Sequence, residues 1–188
     1  MKISLFERIV KMVMGASAIV ASMGLPIASA SAAPGITPVG LPSTNTPFIA
    51  SGGATIVKGG SDIWNCTVAL YMNLDASMGG TPPRAAGGQV TGGASYAGSN
   101  CSALSVLPDG PVGYSITSAN STGGAGVVHG FTILKNGAQW CTSGADVPFT
   151  FLNETTGPSL IKFQTAPIGS TCTLSGNFST GPDMNVVS

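Results

Sequence analysis

The chain has 188 residues, of which only 7% are charged, with seven Lys or Arg against seven Asp or Glu and a single His. So little charge leaves no basic face, which makes nucleic acid and anionic lipid poor candidate partners. The surface must consist largely of Ser, Thr, Asn, Gly and small apolar side chains. Such a surface resists lateral association weakly, because charge is the usual barrier to it.

Residues 1–32 have the pattern of a secretory signal peptide. An apolar stretch, Met12–Ile27, is followed by small residues at Ala28–Ala32 that form cleavage sites. The segment begins with three basic residues, Lys2, Arg8 and Lys11. A retained membrane anchor is the alternative, but two glycines and a proline interrupt the apolar stretch, and a spanning helix needs about 20 apolar residues. No transmembrane segment is expected in the mature chain, so we predict a secreted protein, extracellular or at the cell surface, with the periplasm as the alternative.

The remainder divides into a lead-in and one domain. Residues 33–51 contain four prolines among Gly, Ser and Thr, which predicts an extended lead-in rather than a packed element. Residues 52–188 form the domain, in which short β-like runs alternate with Gly, Pro, Asn and Asp. The runs begin just after the lead-in and are Ala54–Lys58, Trp64–Asn73, Gln89–Tyr96, Cys101–Val106, Gly113–Ser118, Val127–Leu134, Gln139–Thr142, Val147–Asn153, Leu160–Thr165, Thr171–Phe178 and Asn185–Val187. This spacing predicts an all-β sandwich or barrel, and we assign an antiparallel β-sandwich, Ig-like or jelly-roll-like.

Two local patterns are sharper than the rest. Asn136-Gly137 predicts a type I′ hairpin turn that pairs Phe131–Leu134 with Ala138–Cys141, because both turn positions need positive φ. The run that starts at Trp64 alternates in polarity, so one set of its side chains should face the core. The inward set is Trp64, Cys66, Val68 and Leu70.

The cysteine count is even in a chain predicted to reach an oxidising compartment, which favours two disulfides. The four cysteines are Cys66, Cys101, Cys141 and Cys172. We predict that Cys66 bonds Cys101 and that Cys141 bonds Cys172, because sequential strands tend to be neighbours. The alternative joins Cys66 to Cys172 and Cys101 to Cys141. A zinc site is disfavoured, since no Cys-x-x-Cys spacing occurs.

The residues give little support to catalysis. His129 is the single imidazole, and it lies in a predicted strand, where a polar side chain on the solvent-facing side is the simpler interpretation. The acidic residues mostly sit in predicted turns, where Asp usually binds local amides. No phosphate-binding glycine motif, calcium loop or nucleophile turn is present. We therefore expect no catalytic residue, no cofactor and no metal ligand.

The aromatic residues are spread at about one per predicted strand, as expected for a β core. Tyr96 and Trp140 lie next to turn-rich sequence. They are the candidates for an exposed aromatic contact surface.

Short motifs give the chain a resemblance to a known family. Asn-Cys-Thr at Asn65–Thr67 is followed by Tyr-Ala-Gly-Ser-Asn-Cys at Tyr96–Cys101. The chain then ends with Cys172–Phe178 and the short apolar run Met184–Val187. In this order the motifs resemble the PraB type of secreted bacterial alkane oxidation activators. The resemblance implies an extracellular accessory protein linked to growth on hydrocarbons and to surface or matrix material, with no catalytic residues to carry over.

Three functional hypotheses follow. The favoured one is a non-enzymatic secreted surface or biofilm matrix protein that acts by hydrophobic or interfacial contact or self-association. The first alternative is an adhesin or pilus-like subunit assembled by strand addition, for which Ala33–Ser51 is the candidate donor. The second is a carbohydrate-active or ester hydrolase, for which Asp75, Asp109 and Glu154 are the residues to test.

Overall fold

The computed structural model describes residues 33–39, 46–75, 84–106 and 111–188, so the predicted signal peptide lies outside the described residues. Nearly all of the regular structure is β. The strands are β1 Gly35–Pro38, β2 Pro47–Lys58, β3 Asp62–Leu74, β4 Gly87–Tyr96, β5 Leu104–Val106, β6 Val112–Asn120, β7 Gly123–Lys135, β8 Ala138–Leu152, β9 Leu160–Ile168, β10 Cys172–Gly181 and β11 Met184–Val187. A 3₁₀ turn, Cys101–Ala103, precedes β5.

Eight of these strands close into an antiparallel barrel, and the prediction of a sandwich is wrong. Their order is β7-β6-β4-β3-β2-β10-β9-β8, and β8 pairs with β7 to complete the ring. β5 lies beyond the end of β6 and pairs with the last residues of β7. All of these pairs are antiparallel.

Strand length and bulges explain the closure. The two runs predicted from Gln139 and from Val147 form one strand, β8, of 15 residues. Its first part pairs along β7, and its last three residues also pair with β9. In the β7–β8 pair the register shifts between His129 and Phe131 and again between Ile133 and Leu134, and three other strand pairs have one shift each. Bulges of this kind bend strands and increase their twist. Alternation alone could not distinguish the two folds, because side chains point inward at every second residue in both.

A two-stranded ribbon, β1 with β11, packs at one end of the barrel. Ile36, Met184 and Val186 are at most 1% exposed there. The side-chain amide of Asn153 donates to Val186 O at 2.7 Å, and its oxygen accepts from Val186 N at 2.8 Å. Parts of the predicted lead-in are therefore packed: β1 lies in the ribbon, and β2 begins at Pro47.

The barrel interior is filled by the side chains that alternation assigns to it. Cys66, Val68 and Leu70 are buried, and Trp64 is half-buried against them. Phe163 makes ring contacts with three other phenylalanines, Phe131, Phe149 and Phe178, at centroid distances of 5.6 to 6.4 Å. A cavity of about 10 Å³ lies among these apolar side chains. A cavity of that size has room for about one water molecule and none for a hydrocarbon chain.

Both predicted disulfides are confirmed. Cys66 bonds Cys101 with a Cα–Cα distance of 5.6 Å, and Cys141 bonds Cys172 with 5.9 Å. The second bond has a clear role, since β8 and β9 pair only at Thr150–Leu152. Beyond those residues β8 and β9 separate, and the Cys141–Cys172 bond ties β8 to β10 at the barrel end opposite the ribbon.

The Asn136-Gly137 hairpin is also confirmed. The two residues have φ of 53° and 77°, and Lys135 pairs with Ala138.

We predict that Gly137→Ala lowers the free energy of unfolding by roughly 1–2 kcal/mol, because a left-handed backbone is disfavoured for residues with a Cβ. Gly144→Ala is the matched control: a Cβ at either position has no heavy atom within 4 Å, but Gly144 lacks a positive φ. Equal denaturant midpoints for the two variants would contradict the turn geometry.

Tyr114 provides a test of the packed interior by pH. It is 1% exposed, and its hydroxyl donates to Asn73 O at 3.0 Å. Burial raises the pKa of this hydroxyl well above its usual range, and the negative charge of Asp75 adds to the effect. The folded state therefore keeps a proton that the unfolded chain releases above pH about 10.

We predict that the free energy of unfolding falls above pH 10, by up to about 1.4 kcal/mol per pH unit from this group alone. Tyr114→Phe has no hydroxyl proton to lose at this position, so its free energy of unfolding should fall less steeply with pH above pH 10. Parallel stability curves for the two proteins between pH 9 and pH 12 would count against a buried Tyr114.

Candidate functional site

At the end of the barrel opposite the ribbon, the two tryptophans of the chain meet. Their rings, from Trp64 in β3 and Trp140 in β8, lie 5.7 Å apart at 66°. Trp140 reaches this position because the β7–β8 register shifts there: Ile133 pairs with Cys141 and Leu134 with Gln139, which leaves Trp140 without a cross-strand partner. A bulge of this kind re-aims a side chain.

Two lysines and one aspartate complete this cluster. Lys58 Nζ lies 5.6 Å from the Trp140 ring and donates to Trp140 O at 2.6 Å. Lys135 Nζ lies 4.5 Å from the Trp64 ring and 5.4 Å from the Trp140 ring. Asp62 accepts a hydrogen bond from Trp64 Nε1 at 2.6 Å and lies 3.9 Å from Lys135 Nζ. We call these five residues, Lys58, Asp62, Trp64, Lys135 and Trp140, the tryptophan end.

The tryptophan end is amphipathic and rigid. Ammonium groups over indole faces contribute about 0.5 to 2 kcal/mol each, depending on how far they are desolvated. Both disulfides lie beside it, since Cys66 is two residues after Trp64 and Cys141 follows Trp140. The five residues of the cluster include no Ser, Thr, Cys or His and a single carboxylate, that of Asp62. Its chemistry is therefore that of contact: apolar rings, with ammonium donors close by.

The two predicted surface aromatics have different environments. Tyr96, at the end of β4, is 50% exposed, whereas Trp140 is half-buried against Trp64. Among the ring contacts of the described residues, none joins Tyr96 to Trp140. The sequence analysis did not predict that Trp64 contacts Trp140, because alternation placed Trp64 in the core. The available signal was that Trp64 is the first residue of the inward-facing set, and therefore lies nearest the end of the strand.

A second surface feature is an outer face without charge. Four neighbouring strands, β4-β3-β2-β10, carry only two charged residues, Lys58 and Asp62, and both belong to the tryptophan end. Ile49 and Tyr71 are direct cross-strand partners on this face, and each is 44% exposed. We call the outer face of these four strands the uncharged wall. At the usual strand spacing and rise it covers roughly 600 to 700 Å².

His129 has partners that the sequence did not predict. Its Nε2 lies 2.9 Å from Ser115 Oγ, and its Nδ1 lies 2.8 Å from Asp146 Oδ1, so three adjacent strands place a Ser, a His and an Asp in a row. The expected solvent-facing position is observed, with His129 43% and Asp146 56% exposed as side chains.

A Ser, a His and an Asp in a row are not sufficient for hydrolysis. Hydrolysis also needs donors for the oxyanion in a site that excludes water. The amide that follows Ser115, that of Ile116, already donates to Ala86 O at 2.8 Å. Of the carboxylates named for the hydrolase hypothesis, Asp75 and Glu154 follow strands at the ribbon end, away from this row. Asp109 is outside the described residues.

Two further features were sought in the described part of the chain. There, no three or more His, Cys, Asp or Glu side chains are grouped so as to hold a metal ion. Within the same residues, no helix has the length and apolar character needed to cross a membrane.

Comparison with known proteins gives one match. The family model described as alkane oxidation protein activator PraA/PraB-like matches residues 8–188. No curated protein and no solved structure matches the chain significantly.

Proposed function

The chain belongs to the PraA/PraB-like family of alkane oxidation protein activators, and we propose that it is an exported, non-enzymatic protein that acts through contact of its outer surface with hydrocarbon or matrix material. The observation that carries this proposal is the uncharged wall. The family description supplies the hydrocarbon context, and the two disulfides are compatible with an oxidising, extracellular location.

The uncharged wall suits contact with a medium of low dielectric constant. Moving an ionised side chain towards hydrocarbon costs several kcal/mol, whereas small neutral side chains cost far less. Along β2, β3, β4 and β10 the wall offers Gly, Ala, Ser, Thr and Asn around the exposed pair Ile49 and Tyr71. An open depression of about 380 Å³ on β2 and β3, lined in part by Gly53, Thr55 and Thr67, adds contact area.

Contact on the outside also fits the packed interior. A barrel that carried a hydrocarbon would need an internal volume of some hundreds of Å³. The cavity among Ile56, Leu70 and Phe178 is about 10 Å³. The proposed role is therefore that of a surface-active accessory, not of an internal carrier.

The strand-addition alternative has less support. Its candidate donor contains β1, which already pairs with β11 of the same chain. The free side of β11 at Val186 is bonded to the Asn153 side chain. Strand addition needs an unpaired sheet edge, and ring closure removes most of them. Loss of polymers on deletion of residues 33–51 would favour this alternative.

We predict that a charge placed in the uncharged wall weakens adsorption to oil. The exported, oxidised protein should lower the interfacial tension of hexadecane and water, and Tyr71→Lys should need roughly tenfold more protein for the same effect, a change of about 1.4 kcal/mol. Gln164→Lys is the matched control, because Gln164 is exposed on β9, outside the wall. Drop tensiometry measures both. A parent protein without interfacial activity, or equal losses in the two variants, would contradict the proposal.

The proposal also predicts the absence of hydrolysis at Ser115. The parent protein and Ser115→Ala should hydrolyse p-nitrophenyl esters at the same slow rate, since the amide that follows Ser115 is already bonded to Ala86 O. Initial rates measured at 405 nm test this. A parent rate at least tenfold above that of the variant would support the hydrolase hypothesis instead.

A further inference from the structure

The charges of the barrel are unequally divided between its two ends. From residue 33 onward the chain has four cationic and six acidic side chains, a net charge of −2. The tryptophan end holds two of the four cations, Lys58 and Lys135, against Asp62, so its net charge is +1.

The ribbon end has the opposite sign. Arg84 lies there with three carboxylates, those of Asp75, Glu154 and Asp183, which gives a net charge of −2. The ends are joined by β3, whose 13 residues run from Asp62 to Leu74. The field along the barrel therefore turns the tryptophan end towards a negatively charged surface.

The lysines retain donors for such a surface. An ammonium group has three donors. Lys58 gives one to Trp140 O, and Lys135 lies 3.9 Å from Asp62 with a side chain that is 33% exposed. Beside them Ile63 is 58% exposed, and the two indole rings supply the amphipathic surface that favours the boundary between an apolar and an aqueous phase.

We propose that the tryptophan end binds a layer of long-chain carboxylates at a hydrocarbon surface. The carboxylate groups would accept hydrogen bonds from Lys58 and Lys135, while Trp64, Trp140 and Ile63 contact the first methylene groups. Oxidation of an alkane end group leads to a carboxylate, so a partly oxidised oil carries such a layer. This inference rests on the proposed function and adds how the protein is oriented on the oil. The tryptophan end faces the carboxylate layer, and the uncharged wall contacts the neighbouring hydrocarbon.

The inference changes one expectation from the sequence. From the low total charge we expected no basic face, which made anionic lipid a poor candidate partner. The two lysines are 77 residues apart in the chain (58 to 135), and only the barrel brings both of them to the Trp140 ring. Total charge therefore underestimates the local positive potential.

The test uses the exported, oxidised protein with hexadecane droplets that are bare, coated with oleate, or coated with a neutral ethoxylated surfactant. Since Trp64 and Trp140 are the only tryptophans in the chain, their emission reports on this end without a label. We expect tighter binding to oleate-coated than to neutral-coated droplets, a blue shift of the emission on binding, and weaker binding at high salt.

Lys135→Gln should lower the affinity for oleate-coated droplets about fivefold, the effect of one lysine near an anionic surface. The matched control is Lys162→Gln, the same change on β9 outside the tryptophan end, which should have no effect. Denaturant midpoints for both variants check that each is folded. Equal affinity for the two coatings, unchanged tryptophan emission, or equal effects of the two variants would overturn the inference.

The two proposals fail separately. If bare droplets bind the protein but oleate adds nothing, the inference is wrong and the proposed function stands. If oleate-coated droplets bind it through the tryptophan end but bare droplets do not, the inference holds and the role of the uncharged wall is wrong.

Discussion

The pairing of β7 with β8 closes the sheet, and the other features of the molecule depend on it. The register runs from Gly123 with Leu152 to Lys135 with Ala138, so the two strands stay together over the full length of β7. Closure gives every inward side chain a place in a single core and satisfies backbone groups that an open sheet would expose at its edges. It also leaves the interior too full to hold a ligand between residues such as Leu70 and Phe178.

The outside has three regions of different chemistry because of how the chain is wound around the ring. The consecutive strands β2, β3 and β4 lie side by side, and β10, which is distant in sequence, pairs with β2, so that the four together form a wall without charge. The same winding brings the starts of β3 and β8 to one end, where the two tryptophans meet the two lysines, while acidic residues gather at the ribbon. A neutral side between ends of opposite sign suits a protein that lies at a boundary between oil and water.

Local features were predictable from the sequence, and features that depend on strand order were not. Asn136-Gly137 determines its own turn, because both residues tolerate positive φ, and alternation placed Val68 and Leu70 correctly inside. The disulfide pairs followed from the tendency of sequential strands to be neighbours. Ring closure could not be predicted, since a sandwich and a barrel produce the same alternation. The partners of Trp140 and His129 were missed because they depend on strand order and register: Trp64 meets Trp140 from a strand distant in sequence, and Ser115 lies beside His129 through the register of β6 and β7.

If the outer wall is the working surface, as we propose, the barrel stays closed while the wall lies on the oil. Hydroxyl-radical footprinting of the protein, free and bound to hexadecane droplets, tests this. We expect Ile49 and Tyr71 to be oxidised in free protein and protected on droplets, and the buried Leu70, which precedes Tyr71 in β3, to stay unreactive in both states. Unchanged oxidation of Ile49 and Tyr71, or a Leu70 that becomes reactive on droplets, would contradict it.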